Sequence, residues 1–291
     1  MAARKGRRNR RDGVFLRDLD PMHVFMPYLL PNRADNEAFI SETVELDAIN
    51  SFLEKKNADH PEYKYTMFHV VAAAIAKVLY LRPKMNRFVS GYRLYQRRDI
   101  TLSFVAKKLF TDDGEEALLY MKCDGSTTVD SLHDDICRRV SGIREHGESD
   151  NNTDIMSVLA KLPRFAIRGF IGVLNALEYH DLTPNALLKE DPYHASVFIS
   201  NLGSIKLNAA YHHLTNWGTN SLFLVIGAKH KAPCVCEDGS LELREVLDLG
   251  ITIDERIADG YYYAKTIKLL KHLLAHPELL ELPAETPVEL E

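Results

Sequence analysis

The sequence predicts a mixed α/β fold in which helices and a β-sheet form a two-layer sandwich. Stretches typical of strands and of helices alternate irregularly, without the repeated β-α-β pattern of a doubly wound sheet. No internal repeat and no Gly-rich phosphate loop is present, and no Pro/Gly/Ser-rich linker divides the 291 residues. We therefore expect one large domain rather than two small ones.

The first half of the chain mixes capped helices with strands. Asp20, Asp47 and Thr66 are the expected N-caps of three helices, because each precedes an apolar periodic segment. Period-two alternation predicts the first strand. Helices are predicted over 22–26, 48–56, 67–81 and 129–145, and strands over 38–46, over 92–107 as two strands around a turn at 97–99, and over 117–123.

The second half begins with a helical region over 155–179, either bent or a hairpin, and then turns to strands. A loop is expected over 147–153. A last helix over 260–276 stops at Pro277. Strands are predicted over 196–200, 221–228, 233–237, 241–246 and 247–254.

Charge is distributed unevenly along the chain. Residues 1–11 hold six Arg or Lys side chains and no acidic one, and subtracting these from the net charge of −5 leaves −11 for the other 280 residues. An acidic body argues against nucleic acid as a partner. We interpret residues 1–19 as a flexible basic arm and residues 282–291 as an acidic tail.

Membrane and metal functions are not indicated by the sequence. The longest apolar stretches, such as 67–76, are about half the length of a membrane span, and no signal-peptide pattern precedes them. Cys123, Cys137, Cys234 and Cys236 lack zinc-site spacing and are interpreted as reduced thiols. We expect a cytoplasmic protein with no membrane partner and no metal.

Two segments carry the chemistry. Residues 196–204 read S-V-F-I-S-N-L-G-S, a strand that delivers a hydroxyl and an amide to a Gly-containing turn. Residues 249–260 read L-G-I-T-I-D-E-R-I-A-D-G, a strand that ends in acidic residues around Arg256 before a helix begins. The strand S-L-F-L-V-I-G-A lies between them.

Together these segments closely resemble the catalytic domain of the dihydrolipoyl acyltransferases of 2-oxo acid dehydrogenase complexes, whose fold is shared with chloramphenicol acetyltransferase. The family motifs are S-N-L-G or S-N-I-G and D-H-R-x-x-D-G. The segments E-T-V-E-L-D-A-I-N-S-F-L and T-M-F-H-V-V-A-A-A-I-A-K-V-L-Y-L-R-P-K-M-N also look like early elements of that family. The resemblance covers residues 20–281, which we take as the catalytic domain.

The resemblance implies a homotrimer whose active sites lie at subunit interfaces. It implies a coenzyme A or lipoyl-type thioester as substrate, with Ser200 as the oxyanion-stabilising serine and Asn201 and Gly203 beside it. Asp254, Arg256, Asp259 and Gly260 match the second motif. We expect neither a lipoyl domain nor a subunit-binding domain ahead of the catalytic one.

Glu255 stands where the family has its general base, a histidine. The ordinary pKa of glutamate, about 4.3, lies roughly four units below that of a thiol, about 8.5, whereas histidine at about 6.5 is better matched. Glu255 is therefore interpreted as a base, as a carboxylate that binds substrate, or as the partner of a nearby arginine. His212 and His213, in a loop longer than usual for the family, either supply the missing imidazole or only pack.

The other motif residues each have a structural interpretation beside the catalytic one. Asp259 is the expected N-cap of the last helix, and Arg256 is expected to pair with Asp259 or another carboxylate. The Ser200 hydroxyl either stabilises an oxyanion or bonds the local backbone. Asn201 and Gly203 are expected to fix the turn.

Two functions stay open at this point. The first is an acyltransferase that uses Ser200 with Glu255 or a loop histidine. The second is a catalytically degenerate trimer that retains the pocket to bind an acyl-CoA, an acylated small molecule or a protein. The missing histidine favours the second, and the intact motif frame favours retained ligand chemistry.

Overall fold

A computed structural model describes residues 9–107, 116–146, 161–184, 188, 191–235 and 238–290. The strands are β1 (Gly13–Phe15), β2 (Glu37–Glu45), β3 (Arg87–Ser90), β4 (Arg93–Arg97), β5 (Ile100–Lys107), β6 (Glu116–Cys123), β7 (Val197–Asn201), β8 (Leu222–Ile226), β9 (His230–Val235) and β10 (Leu241–Asp254). The helices are α1 (Pro21–Leu29), α2 (Asp47–Lys56), α3 (Met67–Leu81), α4 (Val129–His146), α5 (Arg164–Tyr179) and α6 (Gly260–Ala275).

A seven-stranded sheet organises the molecule. Its strand order is β2-β10-β8-β7-β5-β6, and β9 pairs with the first part of β10. β7 runs parallel to β5 and β8, whereas the other pairs in this sheet are antiparallel. A second, three-stranded sheet has the order β1-β4-β3. The mixed α/β class predicted from the sequence is confirmed.

The main hydrophobic core lies between one face of the large sheet and the helices. Alternate residues of β8 and β10 point into it, among them Leu224 and Ile251, each less than a tenth exposed. α3 is buried over most of its length, because its alanines allow close approach to the neighbouring strands and helices. Burial of this apolar surface is what holds the two layers together.

The opposite face of the large sheet is covered more sparsely. It carries a small cluster of Phe198, Leu214, Phe223 and Val225, in which the rings of Phe198 and Phe223 stack with centroids 4.9 Å apart. The chain between β7 and β8 crosses this face. At Gly250 a Cβ atom would lie 2.4 Å from the carbonyl oxygen of Ala210, so the crossing requires glycine there.

The predicted helices and strands are largely present, with three differences. The two strands predicted over 92–107 belong to different sheets, since β4 pairs in the small sheet and β5 in the large one. The strands predicted over 241–246 and 247–254 form one strand, β10, which pairs first with β9 and then with β8. Of the region 155–179, α5 covers Arg164–Tyr179, and the loop at 147–153 lies outside the described residues.

Parts of the expected arm and tail are packed against the domain. Arg10 is 4% exposed and its guanidinium bonds Glu178, and β1 adds residues 13–15 to the small sheet. Near the other end, Lys77 donates to the carbonyl oxygen of Pro283, and Ala284 is buried. Residues 9–19 therefore differ from a flexible arm, because they contribute a strand and a buried cation. Residues 1–8 lie outside the described part.

In the part of the chain that the structure describes, no helix combines the length and the apolar character needed to span a bilayer.

Candidate functional site

The end of β7 forms the first motif. The Asn201 side-chain oxygen accepts the Ser204 N–H at 3.2 Å, and the Ser204 hydroxyl donates to the Asn201 carbonyl at 2.7 Å. A Cβ on Gly203 would lie 2.4 Å from the Gly227 carbonyl oxygen. Asn201 and Gly203 thus fix the turn, as the sequence predicts. We call this end of the sheet (Ser200, Asn201, Gly203) the serine edge.

Ser200 is half-buried and lies opposite Val225 of β8. Its side chain points to the sparsely covered face, since it alternates with Ile199, which points into the core. No described group forms a hydrogen bond with the Ser200 hydroxyl. The interpretation as a turn hydroxyl therefore finds no support among the described residues, and the hydroxyl is available to a ligand.

His212 lies on the same face of the sheet as Ser200. Its ring stacks on Phe223, with centroids 4.0 Å apart, and Phe223 lies one strand over and two residues before the partner of Ser200. The His212 Nδ1 is 2.9 Å from the His213 carbonyl oxygen, which can only accept a hydrogen bond. In the neutral ring, Nε2 of His212 is therefore the basic nitrogen. His213 is exposed and stacks on His212.

The end of β10 forms the second motif. Asp254 is fully buried, and its two carboxylate oxygens accept from Nε and Nη2 of Arg256 at 2.8 and 2.7 Å. Nη1 of Arg256 donates to the carbonyl oxygens of Leu30 and Pro31. Arg256 thus pairs with Asp254 rather than with Asp259. We call this end (Asp254, Glu255, Arg256) the glutamate edge.

Glu255 is exposed between these two buried residues. None of the described residues forms a hydrogen bond or ion pair with its carboxylate, so the predicted pairing with an arginine is not observed within the described part. Asp259 accepts the Tyr262 N–H at 2.9 Å as the N-cap of α6, and this bond lowers the pKa of Asp259. Gly260 is the first residue of α6.

Ser200 and Glu255 lie at opposite edges of the sheet within one chain. Ser200 is in register with Val225, and Val225 with Gly250. Asp254 lies four residues further along β10, beside Ser221, the residue before β8. At about 3.3 Å per residue and 4.8 Å per strand, the Cα atoms of Ser200 and Asp254 are roughly 16 Å apart. One chain therefore does not bring its two motifs together.

A network of buried charged side chains lies beside the glutamate edge. Burial alone would raise the pKa of Glu178, but the imidazole of His194, whose Nε2 lies 3.4 Å from the carboxylate, and the charge of Arg10 lower it to about 2. Burial acts to lower the pKa of His194, and the hydrogen bond to Asp191 together with the nearby carboxylate of Glu178 reverses this and raises it. Sequence analysis missed this network because its members come from distant segments without a shared motif.

Arg33 is the other buried cation of this edge. Desolvation lowers its pKa to about 10, and the attraction of Asp254, whose carboxylate lies 3.6 Å from Nε, only partly offsets that effect. The Nε atom forms no hydrogen bond with any described group. A cavity of about 250 Å³ opens beside it, lined by Arg256, Glu178 and Trp217 among others.

A second cavity, of about 370 Å³, lies at the serine edge. Asn201 and Gly203 line it, with polar groups from Thr66, Ser204 and Lys229. Its apolar wall is formed by the side chains of Leu53, Met67, Ile226 and Leu247. A cavity that combines an apolar wall with a few polar groups is typical of small-molecule sites.

Sequence analysis also missed a cluster of His69, His133 and Cys137 between α3 and α4. One ligand atom from each lies within 4.8 Å of the others. Burial and the nearby His133 lower the pKa of His69 to about 4. The four-residue spacing of His133 and Cys137 was a usable signal, because it places both on one face of a helix. Nothing in the sequence pattern shows that His69 packs against them.

Comparisons with known proteins agree with the geometry. Residues 179–282 match the family model of the 2-oxoacid dehydrogenases acyltransferase (catalytic domain). The resemblance to this family is confirmed. No curated protein matches the sequence.

Solved structures extend the likeness over the chain. The cubic core of a pyruvate dehydrogenase multienzyme complex is 17% identical, with TM-score 0.60, over 90% of this chain and 88% of that one. Azotobacter vinelandii dihydrolipoamide acetyltransferase, in whose catalytic mechanism a serine, a histidine and an asparagine were investigated, is 18% identical, with TM-score 0.58, over 92% and 95%. A chloramphenicol acetyltransferase is 12% identical, with TM-score 0.53, over 90% and 99%. The chain has the acyltransferase-core fold.

Proposed function

We propose that the protein binds a coenzyme A or lipoyl-type thioester between copies of the chain in a homotrimer and transfers its acyl group. The observation that carries this proposal is the position of Ser200 and Glu255 at opposite edges of one sheet. Two such residues can act on one reacting carbonyl group only if they come from different copies. The acyltransferase-core fold is consistent with this arrangement, and the cytoplasmic location stays a prediction.

Ser200 would stabilise the oxyanion. A hydroxyl without a described partner can turn toward a ligand oxygen without breaking an existing bond. Hydrogen-bond donors placed at the developing negative charge contribute roughly 3–4 kcal/mol each to transition-state stabilisation. His212 lies on the same face as Ser200 and is a second candidate for the base. Its Nε2 takes no part in the contact between its Nδ1 and the His213 carbonyl oxygen.

The cavity at the serine edge would hold the thioester arm. Its apolar wall suits an extended chain of methylene and amide groups. Lys229, which donates to Asn50 at 2.9 Å and lies 3.7 Å from the Glu245 carboxylate, offers a cation for phosphate groups. The cavity shares Asn201 and Gly203 with the turn after Ser200. Ser200 itself does not line the cavity, so a thioester arm bound there would have to pass this turn to bring its carbonyl to the serine hydroxyl.

The proposed reaction is transfer of an acyl group from one sulfur to an acceptor thiol or hydroxyl. Glu255 takes the acceptor proton as the acceptor attacks the thioester carbonyl, and Ser200 donates a hydrogen bond to the oxyanion. The carbon–sulfur bond then breaks, and the leaving thiolate takes the proton back from Glu255. The mismatch of about four pKa units between a carboxyl group and a thiol predicts slow turnover.

A non-catalytic binding trimer is the second candidate. The carboxylate at the position expected for the base favours it, because a carboxyl group is less well matched than an imidazole to proton transfer from a thiol. Such a protein would keep the cavity and lose the chemistry. The two candidates differ in turnover and agree in ligand binding.

The deciding experiment measures release of free thiol from acetyl-CoA with dihydrolipoamide and other acceptors. The variants Ser200→Ala and Glu255→Ala are compared with wild type, and Ser240→Ala in the β9–β10 turn and the exposed Glu62→Ala are the matched controls. Turnover lost in both site variants and kept in both controls supports the enzyme. Absence of turnover with thermal stabilisation by coenzyme A supports the binder. If the protein shows neither turnover of acetyl-CoA nor thermal stabilisation by coenzyme A, the proposed ligand is wrong.

Glu255→His tests whether only the base has changed. We expect this variant to show faster acyl transfer than wild type, because imidazole is better matched to a thiol. A folded variant that binds coenzyme A and gains no activity would show that the site has diverged at more than this residue.

Mixed trimers test the shared site directly. If wild type is active, co-expressed Ser200→Ala and Glu255→Ala chains should recover part of the activity that each lacks alone. Some interfaces in a mixed trimer combine an intact serine with an intact glutamate. A complex with trimer mass and no recovery would contradict a site formed between copies.

A further inference from the structure

We propose that His69, His133 and Cys137 form a zinc-binding site, separate from both edges of the sheet. Two imidazoles and one thiolate match the nitrogen and sulfur ligands that Zn²⁺ prefers, whereas Mg²⁺ and Ca²⁺ prefer oxygen. Both histidines are buried and the cysteine is half-buried. The site lies where the start of α3 meets α4, and it takes no part in the proposed acyl transfer.

The spacing of the ligand atoms is close to that of a zinc site. Sγ of Cys137 lies 3.5 Å from Nε2 of His133, one helical turn away on α4. The three candidate ligand atoms all lie within 4.8 Å of one another. Zinc bonds of about 2.0–2.3 Å in tetrahedral geometry place ligand atoms roughly 3.5 Å apart. Small side-chain rotations, of about 1 Å at the ligand atoms, therefore close the site.

The groups around His133 fix the orientation of its ring, as the hydrogen-bonding groups around a metal-bound histidine do. Nδ1 of His133 lies 3.0 Å from the Asp134 carboxylate, which leaves Nε2 for the metal. The ring of Tyr65 stacks on His133 with centroids 3.8 Å apart, and the Tyr65 hydroxyl donates to Asp130. The imidazole is thus held in one plane, with its Nε2 between Sγ of Cys137, 3.5 Å away, and the Tyr63 carbonyl oxygen, 2.9 Å away.

Existing hydrogen bonds have to be exchanged when the metal enters. Nε2 of His133 lies 2.9 Å from the Tyr63 carbonyl, so zinc displaces the proton shared there, together with the thiol proton of Cys137. Nδ1 of His69 accepts the Thr66 N–H at 3.0 Å. Binding through Nε2 moves the ring proton to Nδ1, which gives up that bond and donates instead to the Thr66 hydroxyl oxygen, 3.1 Å away. Water completes the fourth position, as in three-ligand zinc sites.

The test uses the full chain, stripped with a chelator and then equilibrated with Zn²⁺ or with Mg²⁺. After gel filtration we expect one Zn²⁺ per chain and no retained Mg²⁺. Replacement by Co²⁺ should give a thiolate-to-cobalt charge-transfer band. Wild-type protein that retains no zinc, or a cobalt complex without that band, would overturn the proposal.

Cys137→Ser, with Cys234→Ser as the matched thiol control, assigns the ligand. We expect Cys137→Ser to lose the band and at least about 100-fold in zinc affinity, because removal of a ligand costs more than the 10–100-fold loss typical of outer-shell changes. Cys234→Ser should match wild type. Equal zinc affinity in Cys137→Ser and wild type would refute the assignment, and His133→Asn, read by metal content, serves if the serine variant does not fold.

Asp134→Asn tests the orienting role of the carboxylate. Asp134 is largely exposed, so this change should leave folding intact and weaken zinc binding about tenfold in competition with a chromogenic chelator. Unchanged zinc affinity would show that Asp134 takes no part in the site. The Cys137→Ser variant would still test the three proposed ligands.

Discussion

The serine edge and the glutamate edge of the central sheet are stabilised by different kinds of interaction. The serine edge is held by backbone contacts, in which the Asn201 side chain bonds the turn and Gly203 lies against the Gly227 carbonyl. The glutamate edge is held by buried charge, in which Asp254 and Arg256 pair below an exposed Glu255. Each motif therefore presents one side chain without a described partner, and the residues around that side chain are held in place by a different kind of interaction in each motif.

Removal of the Asp254 carboxylate would disrupt the glutamate edge at its most buried point. Asp254→Ala leaves Arg256 and Arg33 without their shared anion, and we expect a loss of about 3–5 kcal/mol in the free energy of unfolding. Urea denaturation measures this loss. Asp259→Ala, which removes only the N-cap of α6, should cost about 1 kcal/mol. Similar losses in the two variants would argue against the buried pair as the frame.

Acid should weaken the same edge through Glu178. Its folded pKa, about 2, lies below the ordinary value of 4.5, so its stabilising contribution is present above pH 4.5 and lost as the pH falls toward 2. The shift corresponds to on the order of 3 kcal/mol. Urea midpoints of wild type and Glu178→Gln should differ most near neutral pH and converge only at about pH 2 or below. A constant difference would show that the carboxylate charge is not responsible.

His194 contributes with the opposite sign. Its pKa is raised, so its contribution is present below the ordinary value of 6.5 and lost as the pH rises through its folded pKa. Both groups favour the weakly acidic range, which is where the glutamate edge should be most stable.

Gly203→Ala tests the backbone contact of the serine edge. The added Cβ meets the Gly227 carbonyl oxygen at 2.4 Å, and relieving this contact should cost about 1–3 kcal/mol. Gly260→Ala is the matched control, because a Cβ there meets no described atom within 4 Å at the start of α6. We expect the control to stabilise the protein by about 0.4–1 kcal/mol. Thermal denaturation of the pair distinguishes steric contact from a general effect of replacing glycine.

The smallest effect on stability is expected for the side chains of Ser200 and Glu255. Ser200→Ala and Glu255→Ala remove groups without a described hydrogen bond or ion pair, so each should change the unfolding free energy by less than about 0.5 kcal/mol. Denaturant melts of these variants also show whether lost activity reflects lost chemistry. A loss above about 1 kcal/mol in either variant would show that the replaced residue stabilises the fold.

Local features of both motifs could be predicted from the sequence, because caps and turns depend on neighbouring residues. The N-cap role of Asp259 and the turn role of Asn201 followed from spacing alone. The placement of the motifs at opposite edges could not be predicted, since it depends on β10 running antiparallel to β8. The partner of Arg256 stayed open for a related reason, because Asp254 and Asp259 lie at comparable distances in the sequence.

Long-range clusters were beyond sequence reasoning. Arg10 meets Glu178 across a sequence separation of 168 residues, and nothing in the basic N-terminal run distinguishes Arg10 from its neighbours. His69 reaches His133 only because α3 and α4 pack against each other. A tertiary contact between single residues leaves no periodic signal in one sequence.

The continuity of β10 restricts how insertions and deletions can be tolerated in this chain. Deleting one residue between Gly250 and Asp254 would turn each following side chain to the other face of the sheet, and the Asp254 carboxylate would no longer meet Arg33. Deleting two would keep the faces and draw the second motif nearer to the strand centre by about 7 Å. Length changes in this strand are therefore expected to occur in pairs of residues, or together with a compensating bulge.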